Sequence, residues 1–313
     1  MTDESGADPR PSSRRREPEP RSDKRGEAPK VAAPEVTAPG AASPAEASPV
    51  MAPGPALRPP TRPHRTPDGE DLELITEEPL LIDVGGSRLV TMRTPGHDED
   101  LVRGFLISER IVPELGAIRV MRRFEEEGVE GLAVTLPEGV KARGGKLTRV
   151  HEIRASCGLC GAPSVEGIAA DLPELRPGTP RITVAEAAAA AEAMRPRQEQ
   201  FKRTGGSHAA GLWRHGELVL LREDVGRHNA VDKLIGAALV AGIPLGDAML
   251  VLSGRGGFEL IMKGLRVGIP IMASVSAPTS FAVELAEEAG ATLLGFARGR
   301  RATVYCDDGR VEG

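Results

Sequence analysis

The chain has 313 residues, a formal net charge of −5 and three cysteines. So few cysteines exclude a disulfide framework and fit a reducing compartment. No run of eighteen uncharged apolar residues occurs, which excludes a spanning helix, and an acidic balance with 6 Phe, 1 Trp and 1 Tyr argues against nucleic-acid binding.

Residues 1–69 hold 15 of the 27 prolines, no aromatic residue, and 11 Lys/Arg against 10 Asp/Glu. Such a segment buries too little apolar surface to offset chain entropy, so it is expected to be a disordered Pro-rich extension. Its first twenty residues lack an apolar h-region, and Arg14-Arg15-Arg16 runs into Glu-Pro-Glu-Pro. Neither pattern is that of an export signal, and the expected location is the cytoplasm.

Order is expected from about Glu70. Leu72–Ile75, Leu80–Val84 and Arg88–Met92 are short apolar runs, and Gly85-Gly86 signals a hairpin between the last two. Asp98–Glu109 has an apolar helical face with acids in the first turn. Ile118–Phe124 and Gly131–Leu136 read as a strand pair, and Lys146–Arg154 as one more strand. Together, residues 70–160 make a smaller, β-rich N-terminal lobe that ends in Ser156-Cys157-Gly158-Leu159-Cys160-Gly161.

Residues 161–313 read as an α/β lobe. Thr183 to Glu186 is a capping box before an Ala-rich helix that stops at Pro196. A hairpin turns at His215-Gly216, and Glu223 to Asn229 opens a helix. The last third alternates strands at 248–252, 269–273, 292–296 and 302–306 with helices at 258–267 and 278–289. The βαβαβ order implies parallel strands, and their continuous apolar runs imply cover on both faces.

Three constellations carry chemistry. Cys157-x-x-Cys160, flanked by glycines, forms an exposed dithiol loop. A structural zinc site needs a second ligand pair, and the third cysteine, Cys306, is far away in a strand. A zinc deaminase needs H-x-E and P-C-x-x-C, and a thioredoxin-like pair should open a helix after an early strand. A persulfide-carrying nucleophile needs only an exposed thiolate. No bound metal is expected.

The second constellation is the loops after the late strands. Ser253-Gly254-Arg255-Gly256-Gly257, 274–280 and Arg298-Gly299-Arg300-Arg301 should emerge on one sheet edge, where α/β folds bind ligands. Glycine amides, helix N-termini and arginine forks there suit a polyanionic, nucleotide-like ligand. The third pairs Thr204–His208 with Glu223-Asp224 and His228. It reads equally as acid/base machinery or as a polar network holding a helix start, with Asp224 as its cap.

SCGLCG at 156–161, TGGSHAAGL at 204–212, REDVGRHNAVDKLIG at 222–236, AVELAEEAG at 282–290 and GFARGRRATVY at 295–305 resemble the FdhD family, the formate dehydrogenase accessory sulfurtransferases. TPGHDEDLVRGFLISE at 94–109 also resembles it, though Arg110 follows where the family usually has Gly. Gly256-Gly257 likewise depart from its pattern in the SGR loop. The resemblance covers roughly residues 70–307. It implies a cytidine deaminase-like three-layer C-terminal lobe without the zinc ligands. It also implies a sulfur carrier that accepts sulfur from a cysteine desulfurase as a persulfide on Cys157, with Cys160 beside it. The sulfur then passes to the molybdenum of the bis-molybdopterin guanine dinucleotide cofactor before insertion into formate dehydrogenase. The cofactor-binding stretch maps to Phe296, Ala297, Arg298, Gly299, Arg300 and Arg301, to which the sheet-edge reading adds Ser253, Gly254 and Arg255. The alternatives are a chaperone that delivers the cofactor without transferring sulfur and a zinc-stabilised interaction module. The assembly state is open, a homodimer included.

Overall fold

The computed structural model describes residues 58–138, 165–170 and 172–312. Strands β1 (Thr61–Arg65) and β2 (Asp71–Ile75) pair antiparallel. Order therefore starts before Glu70, and a boundary at residue 69 cuts through this hairpin. Pro63 hides the strand in the sequence, but it stands opposite Glu73 at a pair that exchanges no ladder bond, so its missing N–H faces outward and costs nothing. Arg58 and Arg62 anchor the hairpin to the buried Glu78 carboxylate.

The β-rich lobe follows. Strands β3 (Glu78–Val84) and β4 (Ser87–Arg93) join through Gly85 and Gly86, both at positive φ, as a two-residue hairpin turn requires. Helix α1 (Asp98–Ser108) comes next, then β5 (Val120–Glu126) and β6 (Val129–Thr135). The sheet order is β4-β3-β6-β5, with only β3 and β6 parallel. Leu80, Ile82, Val84 and Leu132 alternate inward against Leu101 and Leu106 of α1. Arg110, just past that helix, stands at φ +54, the left-handed conformation that a glycine adopts without strain. The strand expected at 146–154, the Cys157–Cys160 loop and the lobe boundary at 160 lie outside the described residues.

The α/β lobe contains α2 (Val165–Ala169), β7 (Ile182–Thr183) and α3 (Val184–Met194). The predicted capping box is present: Glu186 N–H donates to Thr183 Oγ1 at 3.1 Å, and Thr183 N–H to Glu186 Oε2 at 2.9 Å. Then come α4 (Glu199–Thr204), β8 (His208–Arg214), β9 (Glu217–Asp224) and α5 (Arg227–Val240). The alternation expected last is β10 (Met249–Leu252), α6 (Phe258–Arg266), β11 (Ile271–Ser274), α7 (Ser280–Glu288), β12 (Thr292–Arg298) and β13 (Arg301–Cys306). A short β14 (Val311–Glu312) pairs with β7.

Six strands form one sheet in the order β13-β12-β11-β10-β8-β9. Strands β10, β11 and β12 are parallel, as their crossovers dictate, whereas β8, β9 and β13 run antiparallel to their neighbours. Side chains alternate across the sheet. Leu250, Leu252, Met272 and Leu293 pack under α5, α6 and α7, and Met249, Val251, Ile271 and Leu294 pack under α3. The result is the expected α/β architecture, with helices on both faces of the larger sheet.

Helices α1 and α5 join the two lobes with their backbones in contact. A Cβ at Gly104 would fall 1.8 Å from the Asp232 carbonyl oxygen, and one at Gly236 1.9 Å from that of Asp100. Beside this crossing, Lys263 Nζ is held by Asp232 at 2.9 Å, Glu109 at 2.7 Å and Ser108 Oγ at 3.0 Å. Burial pushes the Glu109 carboxyl up, but Lys263 and Arg266 outweigh it and hold it down at about 2.

Candidate functional site

A cavity of about 480 Å³ opens at the carboxyl ends of the parallel strands, where a doubly covered sheet places ligands. Its floor is Ser253 and Gly254 after β10, Val275 after β11, and Ala297 and Arg298 at the end of β12. Its roof is α3 and α4, with Glu192, Arg195, Gln198 and Phe201. One wall is the Gly205-Gly206-Ser207-His208 segment. Strand order brings this wall in. Because β8 runs antiparallel to β10, with Ala210 opposite Leu252, the start of β8 lies at the end of β10.

That wall is fixed from both sides. Gly205 ends α4 at φ +67, and a Cβ at Gly206 would fall 2.8 Å from Ile75 Cγ2. Ser207 Oγ donates to Glu223 Oε1 at 2.7 Å. The same carboxylate accepts from the amides of Gln200 and Phe201 at the start of α4. Ser253 is tied to the next residue of the wall: its N–H donates to the Ala209 carbonyl at 3.0 Å, and its Oγ accepts from the Ala209 N–H at 2.8 Å.

These bonds decide between the two readings of the 204–208 and 223–228 segments. Glu223 supports the start of α4. Asp224 is buried and accepts from Lys233 Nζ at 2.7 Å and from the amides of Gly226 and Thr94. Burial pushes the Asp224 carboxyl up, against the pull of Lys233. His228 pairs with Glu259 at 2.6 Å. Both carboxylates thus hold structure, and Gly226 rather than Asp224 is the N-cap of α5. His208 is the exception: it is exposed toward the cavity.

The loop edge is only partly the amide cradle the sequence suggested. Gly256 N–H donates to the Ala277 carbonyl at 3.2 Å and Gly257 N–H to that of Arg255 at 3.0 Å. Thr279 N–H returns a bond to the Gly256 carbonyl at 3.1 Å, which zips the first two loops together. Gly256 is small because a Cβ would lie 3.2 Å from Ser274 Oγ and 3.5 Å from Pro278. These glycines serve the loop-to-loop contact, and their amides are engaged. The Gly254 N–H has no partner among the described residues.

Of the nine sheet-edge candidates, Ser253, Gly254, Ala297 and Arg298 line the cavity. Arg255, Phe296, Gly299, Arg300 and Arg301 do not. Gly299 N–H donates to Glu192 Oε1 at 2.9 Å, which clips the β12–β13 turn to α3. Phe296 sits at φ +53 where the register of β12 shifts against β13, so its ring is exposed while Ala297 turns inward. The roof residues Glu192, Arg195, Gln198 and Phe201 were not read from the sequence. Their helices looked like ordinary cover, and no local motif marks them.

Cys157 and Cys160 lie outside the described residues. Cys306 sits in β13, partly buried, with its Sγ 3.5 Å from the Ala291 carbonyl. Burial pushes its thiol up to about 11, so it carries almost no thiolate at neutral pH. Among the described residues no group of three or more His, Cys, Asp or Glu side chains is arranged to hold a metal, and no helix is long and apolar enough to cross a membrane.

Residues 75–312 match the FdhD/NarQ family. The chain is 43% identical over 249 residues to the sulfur carrier protein FdhD of Streptomyces avermitilis, covering 76% of this chain and 88% of that protein. It is 42% identical over 252 residues to the protein of the same name from Mycobacterium tuberculosis, covering 76% and 91%. For that of Anaeromyxobacter dehalogenans the identity is 44% over 254 residues, covering 76% and 88%. Among solved structures, a candidate formate dehydrogenase accessory protein from Desulfotalea psychrophila superposes with a TM-score of 0.62 at 24% identity, over 82% of this chain and 100% of that one. That likeness is one of fold.

Proposed function

The chain belongs to the FdhD/NarQ family, and from that premise we propose that it is a sulfur carrier in the maturation of formate dehydrogenase. The observation that carries this reading is the identity of about 43% to sulfur carrier proteins over three quarters of the chain. The family match spans 75–312 and so includes Cys157 and Cys160. Cys157 receives sulfur from a cysteine desulfurase as a persulfide. The sulfur acceptor is the bis-molybdopterin guanine dinucleotide form of the molybdenum cofactor, and transfer precedes its delivery to the dehydrogenase.

Two physical features support the assignment of roles. Cys306 is a poor nucleophile, protonated by burial, which leaves the glycine-flanked pair as the candidates for thiolate chemistry. The cavity offers the donors that one nucleotide end of such a cofactor needs: the Arg298 guanidinium, the Ser253 hydroxyl and the Gly254 amide. Its volume lies within the roughly 300–1,000 Å³ of small-molecule sites. This chain therefore acts by binding and orienting the dinucleotide and by presenting a thiol to it.

The test is intact-mass spectrometry after incubation with a cysteine desulfurase and cysteine, followed by peptide mapping. One added sulfur on Cys157, absent from a Cys157→Ala variant, is the expected result. Sulfur found only on Cys306, or on no cysteine, would overturn the role of Cys157. Loading of no cysteine with the cofactor still bound would leave the chaperone alternative, in which the cofactor is bound and delivered without sulfur transfer.

A further inference from the structure

The bonds that fix the cavity wall leave one titratable side chain without a task. His208 has neither a hydrogen bond nor an ion pair among the described residues, although the residues around it are tied down. Its neighbour Ser207 is bonded to Glu223, and the next residue, Ala209, is bonded twice to Ser253. The imidazole is thus held on a rigid strand start and faces the floor across Gly254. A Cβ at Gly254 would fall 3.6 Å from His208 Nδ1, so any larger residue there would begin to cover the ring. Two more polar groups on the same rim are unengaged among the described residues: the Gly254 N–H and the Ser253 hydroxyl proton, since that hydroxyl only accepts.

We infer that His208, together with the Ser253 hydroxyl and the Gly254 amide, contacts a phosphate of the nucleotide end bound in this cavity. The inference rests on the cavity reading given under the proposed function and adds a residue with a distinct chemistry to it. Three donors converging from two fixed segments match the several oxygens of a phosphate. Arg298, on the floor of the same cavity, supplies permanent charge.

His208 differs from Arg298 in being able to change charge. Partial burial, Arg227 and His228 push its pKa down, with Asp224 opposing. The titratable and charged groups acting on it are Asp224 from β9 and Arg227 and His228 from the first turn of α5, and Glu192 and Arg195 of the roof and Arg298 of the floor line the same cavity. Without a bound anion the neutral imidazole is therefore favoured at neutral pH. A phosphate brings negative charge that offsets the neighbouring cations and raises the His208 pKa. Binding then takes up a proton, and affinity rises as pH falls through the pKa of the bound state.

Calorimetry with guanosine diphosphate on the full-length protein tests this, using His208→Ala, His208→Gln and Arg298→Ala at about pH 6 and about pH 8. His208→Ala is expected to weaken binding about 5–10-fold, the size of one ordinary net hydrogen bond. Glutamine should restore part of that loss. Both His208 variants should lose the extra tightening toward about pH 6 that the unaltered protein shows beyond the titration of the ligand itself. Unchanged affinity and pH profile in both, with weakened binding in Arg298→Ala, would overturn the inference and leave the cavity reading standing. An equal loss of guanosine binding in His208→Ala would place the contact on the nucleoside and refute the phosphate assignment. No binding by the unaltered protein, or no effect of either His208 or Arg298, would overturn the cavity reading and the inference together.

Discussion

Replacing Gly104 with alanine adds one methyl group where α1 and α5 touch. An ordinary contact for that carbon is at least 3.4 Å, and the built position is 1.8 Å from the Asp232 carbonyl oxygen. The obstacle is backbone, so a rotamer change cannot relieve it, and the helices must separate by about 1.5 Å if they stay folded. Asp232 carries one side of the buried cluster: its carboxylate takes Lys263 Nζ at 2.9 and 3.0 Å and Ser108 Oγ at 2.7 Å. A shift of that size stretches the bonds that reach across from α1, Ser108 Oγ to Asp232 and Glu109 to Lys263, beyond hydrogen-bonding range in a buried setting. Overpacking costs about 1–3 kcal/mol, and partial loss of the buried pair adds to it. Alanine returns up to about 1 kcal/mol of helix propensity. The net expectation is a destabilisation of about 2–4 kcal/mol, or a fall in Tm of roughly 5–15 °C for a body of this size. Urea unfolding followed by circular dichroism measures it. Gly264→Ala is the control, because it makes the same chemical change inside α6. Its new Cβ would meet Leu250 Cδ2 at 3.2 Å, Met272 Sδ at 3.3 Å and Met272 Cγ at 3.8 Å, side-chain atoms rather than backbone. That variant should stay within about 1 kcal/mol of the parent. If Gly104→Ala is neutral or stabilising, propensity outweighs packing and the close crossing is wrong.

Arg298→Ala should weaken guanosine diphosphate binding about tenfold, on the order of 1.4 kcal/mol, whereas Arg300→Ala should change it little, because only the first lines the cavity; equal losses measured by calorimetry would mean that the ligand lies over the β12–β13 turn instead. At neutral pH, Cys306 should react with iodoacetamide about 100-fold more slowly than an ordinary protein thiol, because its pKa is raised from 9.0 to about 11 and the thiolate fraction falls with it. Rate against pH should climb until that higher pKa is passed, and a plateau below about pH 9 would contradict the burial argument. Removing residues 1–57 should leave sulfur loading intact. Removing 1–69 also deletes β1 and takes Arg58 and Arg62 from the buried Glu78, which should cost about 1–3 kcal/mol in urea unfolding. Equal stability of the two truncations would show that the hairpin is dispensable.

Much of the fold is written in local pattern. The capping box at Thr183–Glu186 and the turn at Gly85-Gly86 are local chemistry, and both form as the residue types require. The late alternation of apolar runs and helical stretches is enough to make β10, β11 and β12 parallel, since a crossover helix permits little else. It also puts their following loops on one edge, which is why Ser253, Gly254 and Arg298 were legible as site residues. The strand at Thr61–Arg65 was not, because proline content masks a hairpin whose outer edge needs no N–H.

Only the tertiary structure decided which polar groups remain available to a ligand. Sequence shows that Gly256, Glu223 and Asp224 have the right chemistry for a site, but not that an opposing loop, a helix start and a buried lysine already bond them. The antiparallel insertion of β8 beside β10 likewise has no local signature, and it alone carries His208 to the cavity. The Gly104–Gly236 crossing joins two motifs far apart in the chain, where neither glycine shows its partner. Local propensity follows from neighbours in sequence, whereas the satisfaction of each donor and acceptor depends on what packs against it.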